Sequence, residues 1–443
     1  MTHAPVNQAD LIIRARWIVP VEPAGTSLRD HALVIGDGRI LALLPQAEAT
    51  RRFRTGSVVD RPQHVLLPGL VNAHTRSATC LMRGLGAGLP PLERQQRHVG
   101  PAEARWVAPG FIRDGTRLAM LEMLRSGTTC FGDSYYFPDA VAALAVEHQM
   151  RASVGMLVSE RPTPWAQGTD ECFARGLAIH DQYRGHALLR THFAPDTANA
   201  LGDATLRHLR LLADELDVPV HMPLHTTAEE VRQGIALHGL RPLERVAELG
   251  LLTAGLSAVR ATEISAEDSA RLAASSASVV HCPTITLLQA AGLTPLASLA
   301  RAGVRIALAS GGTDAGNRPD LFDEMRLASL LAGGLSGDAT ALPAPAALAM
   351  ATLGGAQALG LGEQLGSLVP GKLADLICID PGSSGMAADG WTLAQLLHGD
   401  IAKQVSDSWI GGRQVLEDGR ALFFDEAAVL AAAQAWQQRL GSP

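Results

Sequence analysis

The sequence has no apolar run of about 18 residues, the minimum length of a membrane-spanning helix. Its first ten residues lack the basic and apolar regions that mark a secretory signal peptide. Only 18% of the 443 residues are charged, and no basic run stands out that would bind nucleic acid. We therefore expect a globular protein that binds neither a membrane nor a nucleic acid.

Paired cysteines are also missing. The five cysteines lie far apart and form neither a Cys-x-x-Cys motif nor an even framework: Cys80, Cys130, Cys172, Cys282 and Cys378. This spacing is typical of reduced thiols, so we expect a cytoplasmic location.

Both ends of the chain show short β-strand patterns. Residues 11–19 and a hairpin over 31–40, built around a Gly-Asp-Gly turn, stand near the start. Residues 366–380 and 405–422 repeat strand, turn and strand near the end. We predict one small β-sandwich domain built from both termini, with residues 1–65 and 361–443.

The middle of the chain alternates short apolar runs with longer amphipathic ones. Eight runs read as strands: residues 66–76, 126–133, 152–158, 188–193, 218–223, 255–260, 278–283 and 304–310. Helical patterns stand between them, among them residues 112–125, 206–215, 228–238 and 266–275. Eight such repeats predict an α/β fold, a (β/α)8 TIM barrel over residues 66–360, whose functional residues follow the strands.

The first barrel strand carries a family resemblance. It runs through Pro68-Gly69 and ends in His74-Thr75-Arg76, which is similar to the opening strand of the amidohydrolase superfamily. Further phrases resemble the branch of S-adenosylhomocysteine deaminases, 8-oxoguanine deaminases and triazine hydrolases. They are residues 101–105, 122–131, 281–283, 323–328, 350–356 and 370–376.

The resemblance implies one divalent metal held by His-x-His after strand one, a His after strand five, a His after strand six and an Asp after strand eight. A Glu near the strand-five ligand would move protons, and the metal would acidify a bound water. In this sequence those positions are occupied mostly by other residues: Arg76, Pro223, Thr226, Arg260 and Gly311. His74 remains, and Asp314 would replace the Asp if strand eight is shifted by three residues.

Arginine has no lone pair for a metal, so we predict that no metal or other cofactor is bound and that the metal site has been lost. Arg76 and Arg260 would instead place two cations at the former metal centre, with acidic partners among Asp196, Glu263 and Asp314, or with an anionic ligand.

Ten residues are candidates for the site. The catalytic candidates are His74, Arg76, Arg260, Glu263 and Asp314. The candidates for substrate binding are Arg83, His192, His225, Thr226 and His281. His221 is expected to pack inside the barrel.

Three functions stay open at this point. The main prediction is a metal-free pseudoenzyme that serves as a partner or regulatory subunit, or binds a small molecule. The first alternative is a metal-independent enzyme that acts on a heterocyclic or anionic substrate with Arg76 and Arg260 as its cations. The second alternative is an active C–N hydrolase with a relocated metal site made of His74, His192, His225 and Asp314. The resemblance also implies a homodimer, or a heteromer with an active paralogue.

Overall fold

The computed structural model of the chain describes residues 7–381, 392–399 and 401–441, so the predicted sandwich segment 361–443 lies partly outside the described residues. The described strands are β1 Asn7–Gln8, β2 Leu11–Ile18, β3 Leu28–Gly36, β4 Arg39–Pro45, β5 Phe53–Arg54, β6 Val58–Pro68, β7 Leu70–Arg76, β8 Thr128–Asp133, β9 Arg151–Val158, β10 Leu189–Pro195, β11 Val220–Leu224, β12 Leu256–Arg260, β13 Ser278–His281, β14 Arg305–Leu308, β15 Gly311–Gly312, β16 Leu376–Ile379, β17 Val405–Ile410, β18 Arg413–Glu417 and β19 Arg420–Ala421.

The described α-helices are α1 Gln46–Arg52, α2 Pro91–Arg94, α3 Gly100–Trp106, α4 Pro109–Arg125, α5 Pro138–Glu147, α6 Thr169–Tyr183, α7 Asp203–Leu216, α8 Ala228–His238, α9 Pro242–Glu248, α10 Ala266–Ser275, α11 Pro283–Leu288, α12 Leu296–Arg301, α13 Leu321–Ser336, α14 Ala344–Ala349, α15 Gly355–Ala358, α16 Gln395–His398 and α17 Glu426–Gly441. Two of the helices that the sequence predicts, α8 and α10, have the predicted bounds.

The central sheet is a closed parallel barrel. Strands β7 to β14 follow one another in sequence order, and β15 continues strand eight to pair with β7. That pairing joins Gly311 to Thr75 and Gly312 to Arg76, which closes the ring. The predicted (β/α)8 barrel is therefore confirmed, and its eight strands end at one face.

The barrel strands bury both of their faces. On β12 and β13, Val259 and Val280 belong to a small cluster with Ala73, while the alternate residues Ala258 and Val279 join the large core. Side chains alternate across a strand, so one set fills the barrel and the other packs against the helices. Continuous apolar runs in the sequence arise for this reason.

The second sheet combines both ends of the chain. Its order is β19-β18-β17-β16-β6-β2-β3-β4, so strands from the C-terminal part continue onto strands from the N-terminal part. β6 and β16 form the joint, with Leu376 opposite Pro68 and Ile379 opposite Val65. The predicted β domain from both termini is confirmed, whereas its division from the barrel at residues 65 and 360 stays a prediction.

A buried ion pair joins this sheet to the barrel at the face where the strands begin. Arg151, the first residue of β9, donates from Nε and Nη2 to the two oxygens of Asp375 at 2.7 and 3.0 Å, and from Nη1 to Ala187 O at 2.6 Å. Gly411 N also donates to Asp375 Oδ1 at 2.7 Å. All three nitrogens of this guanidinium are thus satisfied.

Within the described residues, no helix is both long and apolar enough to cross a membrane.

Candidate active site

A cavity of about 450 Å³ opens where barrel strands one to five end. Its wall comes mainly from the last residues of these strands and the residues that follow them: His74, Arg76, Ser134, Tyr135, Tyr136, Ser159, Arg161, Asp196, Thr197, His221 and Pro223. This is the face of a (β/α)8 barrel at which active sites form, and the volume suits a small molecule.

Two uncharged imidazoles lie in the cavity wall. Burial is the main reason that the pKa of His74 falls to about 3 and that of His221 to about 4. His221 Nε2 lies 2.8 Å from Ala358 O, and a carbonyl only accepts, so Nε2 carries the proton and Nδ1 keeps a lone pair. The Nδ1 atoms of both rings are buried without a partner. His221 therefore lies in the cavity wall, as well as packing inside the barrel.

Arg76 is tied to a residue far along the chain. Its Nη2 donates to Glu103 Oε1 at 2.8 Å, and its guanidinium lies 4.4 Å from the ring centre of Tyr135. The Tyr135 hydroxyl donates to the same carboxylate oxygen at 2.7 Å. Burial raises the pKa of Tyr135 well above its usual value, so this hydroxyl stays protonated. These three residues form one polar cluster at the edge of the cavity.

Asp314 is occupied by a different arginine. Arg94, in α2, donates from Nη1 to Asp314 Oδ2 at 2.8 Å and from Nη2 to its backbone oxygen at 2.6 Å. Both side chains are nearly buried. The pair ties the segment after β7 to the end of strand eight. Asp314 thus forms no ion pair with Arg76 or Arg260.

Arg260, the last residue of β12, is only partly exposed, and its Nε and Nη2 atoms are buried without any partner among the described residues. Thr294 Oγ1 donates to the Arg260 backbone oxygen at 2.8 Å and lies 3.1 Å from His281 Nδ1. The backbone oxygen of Glu263 accepts from Arg241 Nη2 at 2.7 Å. The Glu263 carboxylate forms no ion pair among the described residues.

Two of the predicted substrate-binding residues support the connection between β11 and α8. Leu243 N donates to His225 Nε2 at 3.0 Å. Thr226 donates to Glu230 Oε2 from its backbone nitrogen at 2.8 Å and from its hydroxyl at 2.6 Å. His225 and Thr226 therefore hold this loop, and neither lines the cavity.

Two further candidates have internal partners. Arg83 forms a two-pronged ion pair with Glu122 of α4 at 3.0 and 2.8 Å. His192 lies between Ser134 Oγ at 3.0 Å and Ser153 Oγ at 2.9 Å, and it is fully buried. Neither residue is part of the cavity wall.

The sequence prediction missed several cavity residues, among them Ser134, Tyr135, Tyr136 and Arg161. The first three follow Asp133, the last residue of β8, and Arg161 follows β9 by three positions. Their position directly after a barrel strand was the available signal. Metal-ligand motifs drew the prediction toward histidines and carboxylates instead.

The side chains at the family's ligand positions do not form a metal-binding set. Arg76, Pro223 and Arg260 offer no free electron pair from their side chains, and Gly311 has no side chain. Among the described residues, no group of three or more His, Cys, Asp or Glu side chains is arranged to hold a metal ion. The relocated set of His74, His192, His225 and Asp314 does not converge either.

Known proteins resemble this chain in both sequence and structure. The amidohydrolase family model matches residues 65–415. A 5-methylthioadenosine/S-adenosylhomocysteine deaminase from Teredinibacter turnerae is 39% identical over 433 residues, which is 98% of each chain. One from Saccharophagus degradans is 39% identical over 98% of this chain and 97% of its own. The crystal structure of an adenosine deaminase from Xanthomonas campestris with bound zinc is 42% identical, has a TM-score of 0.96, and covers 98% of this chain and 99% of that chain.

These relatives contradict the main functional prediction. The metal-free pseudoenzyme is wrong, because proteins alike over nearly their whole length bear the names of deaminases. The prediction of a lost metal site and of no cofactor is contradicted as well, because the similar adenosine deaminase structure contains zinc, although the described side chains at the family's ligand positions in this chain do not form a metal-binding set. The predictions treated substituted ligand positions as lost activity, although an open cavity and the uncharged rings of His74 and His221 remain.

Proposed function

Because this chain belongs to the amidohydrolase family, we propose that it is an enzyme that hydrolyses a carbon–nitrogen bond of a heterocycle. The proposed reaction is deamination of a purine nucleoside: water adds to the ring carbon that bears the amino group, and ammonia leaves. The observation that carries the proposal is the cavity at the ends of strands one to five, which has the volume and the mixed lining of a small-molecule site.

The names of the relatives suggest the substrate class. Two relatives similar to this chain over nearly its whole length are named for 5-methylthioadenosine and S-adenosylhomocysteine, and the similar solved structure is an adenosine deaminase. All three compounds share a 6-aminopurine nucleoside. We propose this shared part as the group that the cavity binds.

The cavity residues have distinct roles in this proposal. Tyr135 and Tyr136, whose rings lie 4.6 Å apart, offer aromatic surface to a purine ring. His74 and His221 are uncharged at neutral pH, so they orient the ring by hydrogen bonds rather than by charge. Asp196 is the carboxylate of the described wall, and its Oδ2 accepts from Ser159 Oγ at 2.7 Å. We assign it the proton transfer from water to the leaving amine.

The test is ammonia release from adenosine, 5′-methylthioadenosine and S-adenosylhomocysteine, followed together with the change in purine absorbance. We expect turnover of at least one compound and a fall of about 100-fold or more in kcat/KM for Asp196→Asn. The assay is run on protein as purified and after treatment with a chelator, with metal content measured on the same samples.

Asp214→Asn is the matched control, because Asp214 is a surface residue of α7 that pairs with Arg210 at 2.5 Å and lies outside the cavity. It should leave turnover unchanged. No ammonia above the blank from any of the three compounds, with or without added zinc, would reject the proposal. Full turnover in Asp196→Asn would reject only the role of that carboxylate.

We also propose the cytoplasm as the location of the protein. Five free and buried cysteines support that proposal. The homodimer that the family resemblance implies stays a prediction.

A further inference from the structure

Arg260 has an unusual backbone conformation for a large side chain. Its φ is +77°, and that of the next residue, Ala261, is +45°. L-residues adopt this left-handed region at an energetic cost, and surrounding structure must hold them there. Thr294 Oγ1 donates to Arg260 O, and Thr262 N donates to His225 O at 2.9 Å, so contacts on both sides hold the strained pair.

The Arg260 guanidinium is enclosed on one side and open on the other. Its Nε and Nη2 atoms are buried and have no acceptor among the described residues. Its Nη1 is not enclosed in this way, and the residue as a whole is partly exposed. A buried donor without an acceptor costs free energy, and a bound ligand that accepts from it removes that cost.

The neighbouring carboxylates do not complete it. Glu230 and Asp314 both lie near enough to act on the charge of Arg260. The oxygens of Glu230 already accept from His225 N at 3.2 Å and from both donors of Thr226. Asp314 Oδ2 accepts from Arg94. The charges of both acids reach the guanidinium, but within the described residues neither carboxylate accepts a hydrogen bond from it.

The guanidinium also acts on the barrel end from which the cavity opens. Both Arg260 and Arg76 lower the pKa of His74, a cavity residue on β7, after the larger effects of burial and of His221. The charge of Arg260 acts on groups of four separate segments: His74, Cys282, Glu230 and Asp314. Arg260 is the last residue of β12 and lies opposite Leu224, the last residue of β11, so its side chain starts from the ring of strand ends.

We propose that Arg260 is an anion-binding residue, and that its unpaired guanidinium nitrogens hold a compact oxyanion, a carboxylate or a phosphate, carried by a ligand at the barrel mouth. A guanidinium fork matches both groups because it can donate two parallel hydrogen bonds. The inference goes beyond the proposed deamination and does not depend on it, since binding of the anion needs no turnover.

The experiment uses the full chain and two probes, inorganic phosphate and acetate, in isothermal titration and in thermal unfolding. We expect one site per chain for at least one probe, about tenfold or more weaker in Arg260→Met, because hydrogen bonds to charged groups carry that much affinity. Arg260→Lys, which keeps the charge but loses the fork, should bind more weakly than the wild type. Phosphate binding alone identifies a phosphate site, and acetate binding alone identifies a carboxylate site.

Arg241→Met is the matched control. Arg241 is an arginine at the same end of the barrel, but its Nη2 is paired with Asp268 at 2.7 Å. Without anion, we expect Arg241→Met to lower the apparent Tm and Arg260→Met to raise it, because only the latter removes an unpaired donor. The probe should raise the Tm of the wild type and of Arg241→Met, but not that of Arg260→Met.

Equal binding by wild type and Arg260→Met, or no binding of either probe to the wild type, would overturn the proposal. So would a fall in Tm for Arg260→Met comparable to that of Arg241→Met, since Arg260 would then be a structural residue. Ammonia release is measured on the same variants, so a failed deamination and a failed anion site are told apart.

Discussion

Two arginines at opposite ends of the barrel are paired differently. Where the strands begin, each nitrogen of Arg151 has an acceptor, and Asp375 receives a further bond from the backbone. Where the strands end, two nitrogens of Arg260 have none among the described residues. The first arginine stabilises the fold through a fully paired guanidinium, whereas the second keeps two unsatisfied donors at the end of the barrel where the cavity opens. Such unsatisfied groups tend to mark the functional end of a fold.

Some imidazoles show the same contrast. His148, next to the start of β9, has its Nδ1 2.6 Å from Phe423 O and its Nε2 3.3 Å from Arg117 Nε. His74 and His281 at the other end each keep one buried ring nitrogen without a partner. The contrast therefore extends beyond a single arginine.

The largest loss of stability is expected when the ion pair between Arg151 and Asp375 is broken. Arg151→Met leaves the Asp375 carboxylate buried without its cation, which should lower the free energy of unfolding by about 3–5 kcal/mol. Chemical denaturation measures the loss. The double variant with Asp375→Asn should recover part of it, because the stranded charge is gone. A loss below about 1 kcal/mol would show that this pair does not hold the terminal sheet and the barrel together.

The next largest change in stability is expected from Glu324, whose carboxyl group lies near the barrel mouth. Burial raises the pKa of Glu324 to about 8, and its Oε2 accepts from Thr284 N at 3.0 Å. The folded state therefore keeps a proton that the unfolded state releases above its ordinary pKa of 4.5, and stability falls as pH rises toward 8. A protonated Glu324 also leaves the mouth without that negative charge.

Glu324→Gln keeps the neutral form at every pH. The free energy of unfolding of the variant minus that of the wild type should be about 2–3 kcal/mol larger at pH 9 than at pH 6. Denaturation at the two pH values measures the difference, and Glu267→Gln, on the exposed side of α10, is the control. If the difference between variant and wild type is the same at both pH values, Glu324 is ionised in the folded protein at both.

A smaller effect is expected from His281, whose pKa burial lowers to about 3. Below about pH 6.5 the unfolded chain binds a proton at this histidine, whereas the folded chain does not. The free energy of unfolding therefore decreases as the pH falls below 6.5. Between pH 7.5 and 5, the wild type should lose about 2 kcal/mol more than His281→Asn, which keeps a polar atom near Thr294. Parallel losses in both proteins would place the titration elsewhere.

The fold could be predicted from the sequence because its signals are local. Thr227 accepts a hydrogen bond from Glu230 N at the start of α8, and Ser265 with Asp268 forms a capping box at the start of α10. Such caps fix the start of a helix within a few residues of chain, so both predicted helices begin where the structure has them. Buried strands likewise reveal themselves as short apolar runs.

The ion pairs of the site could not be predicted, because each joins distant parts of the chain. Arg76 reaches Glu103, 27 residues away, and Arg94 reaches Asp314, 220 residues away. The acids expected as partners of Arg76 were those near other strand ends. Only the path of the segment between β7 and α4 decides which carboxylate arrives, and that segment consists of short helices and turns without a long periodic pattern. Arg94 itself carried no motif.

The joint between β6 and β16 has a consequence for synthesis on the ribosome. Val65 to Pro68 pair with residues that the ribosome adds roughly 300 positions later. At about 5–20 residues per second, the apolar edge of β6 waits for tens of seconds before its partner emerges. During that time the nascent chain must keep this edge from pairing with another copy, so early release or slow translation should favour aggregation over folding.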